Sequence, residues 1–255
     1  MSTLRAVMRL LVLLIYTFLT VCIAIILNRV APYPIHRAWL RLWYSTILKL
    51  LGFSVQVTGK LPEKQGMLIV SNHSSYMDIL VIGSLLPVHF TPKSTIRHWP
   101  FIAQMVGVSQ PIYIDRNDRR AIQIQNQRIA TAIAAGKNVV LYPEGTTSNG
   151  TCVYPFKTGF FACLEVAASP IPVLPVTITY PSCDGMMLTQ NTPSPIAWYG
   201  DMTLMPHLWQ LLKRSRTQVH VTVHHPVTLP GFPSRKALAL DCETQIRHTL
   251  NRLFT

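Results

Sequence analysis

The sequence predicts an α/β fold: a mainly parallel sheet flanked by helices and preceded by an N-terminal two-helix membrane motif. Three observations carry that reading. Residues 10–27, "LLVLLIYTFLTVCIAIIL", are eighteen residues without a charge. After Gly52, short β-rich runs alternate with helical ones, the pattern of a parallel sheet with helices on its faces. The chain has 255 residues, enough for one sizeable core with a small accessory segment. The expected division is residues 1–52 as a membrane-anchoring segment and residues 53–255 as an α/β domain.

At 1.5 Å per residue the charge-free run nearly crosses a hydrocarbon core of about 30 Å. Its length, and the lack of an A-x-A-like site after it, argue against a cleaved signal peptide. Arg5 and Arg9 precede it and Arg29 follows. If the helix spans, that charge bias puts the N-terminus in the cytoplasm. Residues 35–52 differ: Trp39, Leu40, Trp43, Ile47, Leu50 and Leu51 recur at helical spacing among His36, Arg37, Arg41 and Lys49. That mixture suits a membrane interface. Two helices joined at "APYP" form either a one-leaflet anchor or one span with one surface helix.

The domain is read in order. "SVQVTG" and "MLIVS" are strands bracketing the turn "LPEKQ", and "YMDILVIGSLL" is a helix. "VHFTPK" and "QPIYI" are strands around a short helix. "DRRAIQIQNQRIATAIAAG" is a long helix stopped by Gly136. "NVVLYP" is a strand and "TGFFACLEVAAS" a helix. "IPVLPVTITY" is a strand whose two prolines suggest edge or bulge positions. Residues 181–206, rich in Pro, Thr and Ser, read as an irregular loop. "TQVHVTVHHPVTL" is a strand with clear alternation, and "SRKALALDCETQIRHTLNRLF" closes the chain as a helix.

Composition narrows the function. Hydrophobic residues make up 49% and charged residues 13%, and the net charge is +13. A basic excess suits an anionic membrane surface, an acidic substrate or nucleic acid, and the apolar N-terminus argues against the last. The five cysteines, at 22, 152, 163, 183 and 242, form no C-x-x-C. Such a scattered, odd set reads as reduced thiols.

Two constellations carry chemistry. "SNHSSYMDIL" places His73 five residues before Asp78 at a strand end opening into a helix. Ser75 and Asp78 have nearly the spacing of a capping box, so Asp78 is a candidate helix-start carboxylate. With His73 in the loop, Asp78 can also accept from one ring nitrogen and leave the other as a base, the arrangement of a base with its orienter. There is no G-x-S-x-G, and nothing marks Cys152 as activated. Without a protein nucleophile, the base activates a substrate hydroxyl. The second constellation, "LYPEGTTSNG", sets Glu144, Gly145, Thr146 and Thr147 beyond a strand. It is not a Walker loop. Glycine-rich turns present N–H groups to anions. Lys157 in "FKTG" and Arg116 in "GVSQPIYIDRND" add positive charge nearby.

"NHSSYMD", "GVSQPIYIDR", "YPEGTTS" with "PFKTG", and "IPVLPV" stand in that order between residues 72 and 176. Together they resemble the four sequence blocks of the glycerolipid acyltransferases, above all the 1-acylglycerol-3-phosphate acyltransferases. The two-helix motif of that family is similar to the N-terminus here. The resemblance implies His73 as general base and Asp78 as its orienter. It implies Arg116, Glu144 and Gly145 at the acceptor-phosphate region and Pro175 near the acyl chain, and Thr146, Thr147 and Lys157 beside them are further candidate substrate-binding residues. It further implies acyl-CoA or acyl carrier protein as donor and co-substrate, no cofactor, no metal and no nucleic acid. The partners are then a lysophospholipid acceptor and an anionic membrane, with the catalytic domain facing the cytoplasm. The main expectation is acylation of 1-acylglycerol-3-phosphate to phosphatidic acid. The alternatives are a lysophosphatidylcholine-like or lyso-aminolipid acceptor, and last a lysophospholipase. Thr147 departs from the family, where arginine is common, and removes a bidentate phosphate ligand. Tyr142 replaces a usual Phe.

Overall fold

The computed structural model describes residues 2–99, 102–115 and 119–252. α1 (Ser2–Val30) contains the whole charge-free run, and it is long and apolar enough to cross a membrane. Most of its large apolar side chains are exposed, Phe18 at 70%. Pro32, in extended backbone, precedes α2 (Tyr33–Leu50); proline is tolerated where a helix begins because the first N–H groups have no intrahelical partner. On α2, Leu40, Trp43, Tyr44, Ile47 and Leu48 are buried against the domain, chiefly on α3 (Met77–Leu85). The stripe expected to meet the membrane interface therefore faces protein. Helical apolar spacing suits lipid and core equally, and only the presence of α3 decides between them.

Among the described residues, eight strands form one sheet. They are β1 (Phe53–Thr58), β2 (Leu68–Ser71), β3 (Val88–Phe90), β4 (Asn138–Leu141), β5 (Pro172–Cys183), β6 (Met186–Met187), β7 (Thr217–Val223) and β8 (Val227–Thr228). The order is β1-β7-β5-β2-β4-β3, with β6 and β8 against β5. β5, β2, β4 and β3 are mutually parallel, while β7 meets β5 antiparallel and β1 joins β7 in parallel. The sheet is thus mixed, with a parallel centre. β2 and β4 are buried along their whole length, since helices cover both faces and leave no polar side. α2 and α3 cover one face together with α6 (Leu204–Lys213). The other face holds α5 (Arg119–Ala134), a 3₁₀ turn (Thr158–Leu164) and α7 (Arg235–Arg252). α4 (Ile102–Gly107) is a short connector.

The segments on either side of "LPEKQ" are strands as expected, β1 pairing with β7 and β2 with β4 and β5. Other expectations change. "QPIYI" contributes only an isolated bridge, Ile114 to Lys93. The expected helix after Lys157 is 3₁₀ and stops at Leu164; a period of three aligns buried Phe161 and Leu164 on one face. β5 is an interior strand, not an edge. Its prolines are tolerated because Pro172 starts the strand and Pro175 sits where the β7 ladder has ended, its carbonyl accepting from the His224 N–H at 3.1 Å. The bulge falls later, between Thr179 and Ser182. The 181–206 segment is partly ordered, since it holds the end of β5, all of β6 and the start of α6.

Candidate active site

β2 and β4 end side by side, and the two sequence constellations continue from those ends. Asn72 follows the last β2 residue. Its amide Nδ2 donates to the Ile178 carbonyl and its Oδ1 accepts from the Ile178 N–H, both at 2.8 Å. One side chain thus replaces the next rung of the ladder to β5 and frees the main chain to turn. His73 sits on that turn and α3 begins just after it.

Asp78 lies in the first turn of α3 and is 0% exposed. Its Oδ2 accepts from His73 Nδ1 at 2.8 Å, from the Ser74 N–H at 2.8 Å and from the Ser75 N–H at 3.0 Å. Helix-start carboxylate and histidine orienter are therefore the same group. A carboxylate with three donors on one oxygen is an acceptor, so Nδ1 carries the hydrogen and Nε2 keeps its lone pair. The His73 side chain is 18% exposed. Tyr142 stacks on the imidazole, with ring centroids 3.9 Å apart and planes 15° apart. No hydroxyl or thiol among the described residues bonds Nε2, so the arrangement is a base without a protein nucleophile.

The 144–150 loop holds the His73 backbone from both sides. Glu144 Oε1 accepts from the His73 N–H at 2.7 Å, and the Ser148 N–H donates to the His73 carbonyl at 2.8 Å. Glu144 Oε2 accepts from the Tyr154 N–H at 2.8 Å, so both oxygens serve the loop. Glu144 is 1% exposed, and burial raises its carboxyl to about 8 against the lowering effect of those two N–H groups. Gly145 has φ +74°, the left-handed region, and Lys157 Nζ lies 2.9 Å from where a Cβ on Gly145 would stand. Only glycine lets the exposed lysine lie across the turn. Thr146 is exposed and Thr147 half-buried, and among the described residues their N–H groups make no backbone hydrogen bond. Arg116 lies outside the described residues. Pro175 is buried in β5 opposite Val70, beneath the site.

A further segment closes the flank: the Trp198 N–H donates to the Ser74 carbonyl at 2.8 Å and the Ser194 N–H to the Asn149 carbonyl at 3.0 Å. Sequence reasoning missed these residues along with Asn72 and Tyr180. Tyr180 donates to Asp78 Oδ1 at 2.5 Å across 102 positions, a distance that no local spacing signals. Among the described residues, no three His, Cys, Asp or Glu side chains converge as metal ligands.

Residues 54–179 match the family model described as Acyltransferase. The lyso-ornithine lipid O-acyltransferase of Brucella abortus (strain 2308) is 35% identical over 213 residues, covering 82% of this chain and 80% of that protein. The 1-acyl-sn-glycerol-3-phosphate acyltransferase of Neisseria meningitidis serogroup B (strain MC58) is 29% identical over 203 residues, covering 79% and 76%. Among solved structures, the 1-acyl-sn-glycerophosphate (LPA) acyltransferase PlsC from Thermotoga maritima superposes with a TM-score of 0.69 at 20% identity, covering 99% of this chain and 94% of that one.

Proposed function

The chain belongs to the acyltransferase family, and from that premise we propose that His73 is the general base of an acyl transfer to a lyso-aminolipid hydroxyl. Nε2 takes the proton of the acceptor hydroxyl, and the oxygen attacks the carbonyl carbon of an acyl thioester. The Thr146 and Thr147 N–H groups, on the loop that brackets His73, are the donors for the tetrahedral oxyanion. The carbon–sulfur bond then breaks, and the departing thiolate takes the proton back from the imidazolium. Asp78 holds the tautomer and pairs with the transient charge. The observation that carries this reading is His73 Nδ1 at 2.8 Å from buried Asp78, with Nε2 facing no protein nucleophile. His73→Ala is expected to lower transfer roughly 10²–10⁴-fold with the protein still folded; activity within a few-fold of wild type would falsify the assignment.

The acceptor class rests on Thr147. A threonine has no planar fork for two phosphate oxygens, and charge-assisted bonds are about twice as strong as neutral ones. Ornithine carries a carboxylate and an amine in place of a phosphate monoester, and Lys157, a cation over the loop among the described residues, suits a carboxylate. The Brucella relative, named for lyso-ornithine lipid, points the same way. We therefore expect kcat/KM to be higher for lyso-ornithine lipid than for lysophosphatidic acid, and Thr147→Arg to shift the ratio roughly tenfold toward the phosphate. Wild-type protein that accepts lysophosphatidic acid alone sinks this choice and leaves the acylation chemistry standing. The donor is an acyl-CoA or an acyl carrier protein.

The domain is held on one leaflet, with α1 lying along it. Both ends of α1 are bonded to the domain. Arg5 and Arg9 donate to the carbonyls of Lys213 and Arg214, and Asn28 accepts from Gln110. A helix tied at both ends to one side of the bilayer does not cross it. The net charge of +13 suits the anionic cytoplasmic leaflet, so the catalytic domain faces the cytoplasm.

A further inference from the structure

Asp78 has four donors, and they are unevenly shared. His73 Nδ1 and the Ser74 and Ser75 N–H groups all fall on Oδ2. Oδ1 has one, the Tyr180 hydroxyl at 2.5 Å. Tyr180 comes from β5 and lies past the last of the sequence blocks. Val176, Ile178 and Tyr180 share the β5 face that α3 covers, and the Thr179–Ser182 irregularity follows at once. Phe53 meets the Tyr180 ring edge-on, with centroids 6.4 Å apart and planes 89° apart, and the side chain is buried. Burial first, then the Asp78 charge, hold the phenol well above its ordinary range. It is therefore a hydrogen donor at neutral pH.

We propose that Tyr180 is a positioning residue for the transfer reaction. Its O–H anchors the second oxygen of the Asp78 carboxylate, so that the carboxylate plane is held from both ends while the other oxygen meets His73 and the two amides together. The His73 and backbone donors all converge on one oxygen, and among the described residues Tyr180 supplies the bond to the other. When Nε2 accepts the substrate proton, the imidazolium charge appears at Nδ1–H opposite a carboxylate that cannot turn away. The inference rests on His73 being the base. Tyr180 touches neither substrate nor the reacting atoms; it acts through Asp78.

The experiment is Tyr180→Phe in the full-length protein in detergent micelles, assayed with an acyl-CoA and either lysolipid across a pH series. Phe keeps the ring and its contact with Phe53 and removes only the O–H. Expected is a roughly tenfold fall in kcat, the value of one hydrogen bond to a charged group, with both KM values within about twofold. The acidic limb of the kcat–pH profile moves to higher pH, because a carboxylate with one donor fewer pulls the imidazole proton harder. Wild-type kcat with an unmoved limb overturns the inference. So does a fall in kcat matched by a fall in folded protein with the limb unmoved, since that is packing alone. His73→Ala, run in parallel, separates the two levels. If it is inactive beside a wild-type Tyr180→Phe, only this inference falls; if it is active, the base assignment falls and this goes with it.

Discussion

At the residue scale, Asp78 and Glu144 are both buried carboxylates near His73, yet they do different work. With one oxygen Asp78 holds the Ser74 and Ser75 amides just ahead of α3 and orients the imidazole. Asp78→Asn can keep an oxygen toward the amides but has no charge to pair with an imidazolium. It is expected to lower turnover roughly tenfold to a hundredfold, less than His73→Ala, with little change in melting temperature; a variant that only melts earlier would leave Asp78 as a cap. Glu144 ties the loop by its two N–H bonds, and its carboxyl is raised from 4.5 to about 8. The folded state therefore holds a proton that the unfolded chain has lost. That contribution to stability is full below the ordinary carboxylate range, declines as pH rises and is gone above the folded value. Melting temperature is expected to fall between about pH 5 and pH 8 and then level off. Glu144→Gln should flatten that slope while lowering the plateau at acid pH, because its amide nitrogen cannot accept the second N–H. Parallel slopes in the two proteins would show that other groups set the dependence. The sequence named both carboxylates; which served the imidazole and which served the loop depended on contacts between β2 and β4.

At the scale of elements, α2 and α3 are joined at Gly83. A Cβ there would stand 2.5 Å from the Tyr44 ring, closer than real contacts allow. Tyr44 cannot yield easily, since it lies edge-on to Phe90 and tilted on Trp43. Alanine gains about 1 kcal/mol in helix propensity over glycine, and overpacking costs about 1–3 kcal/mol. Gly83→Ala is expected to destabilise by about 1–2 kcal/mol, read as a lower melting temperature; an unchanged or higher value would mean that α2 shifts freely on α3. The same contact explains why α2 was legible as a helix but not as a core helix. α6 was not legible at all. Pro206 reads as a breaker after a Pro-rich stretch, yet it sits in the first turn of α6, where its missing N–H has no intrahelical partner to lose.

At the scale of the whole molecule, the anchor and the core overlap. α1 carries the exposed apolar surface, whereas α2 supplies Leu40, Trp43, Tyr44, Ile47 and Leu48 to the core. Removing residues 1–31 is expected to leave a folded protein that sediments poorly with anionic vesicles. Removing residues 1–52 strips α3 of its cover, and the product should aggregate. Sedimentation and circular dichroism of the two truncations check this; a well-folded, soluble 53–255 fragment would show that α2 is dispensable to the core.

The sequence alone determined the alternation of strands and helices, the apolar N-terminal helix, the His73–Asp78 pair and the loop from Glu144 to Thr147. Each of these is written in local periodicity or short spacing, which the chain carries without knowing its neighbours. The tertiary structure alone decided that β7 runs against β5, that α2 faces protein, that Glu144 serves the His73 backbone and that Tyr180 reaches Asp78 from 102 positions away. Those outcomes depend on which surfaces meet. A buried carboxylate must find donors wherever the fold brings them, and residue spacing along the chain holds no record of that.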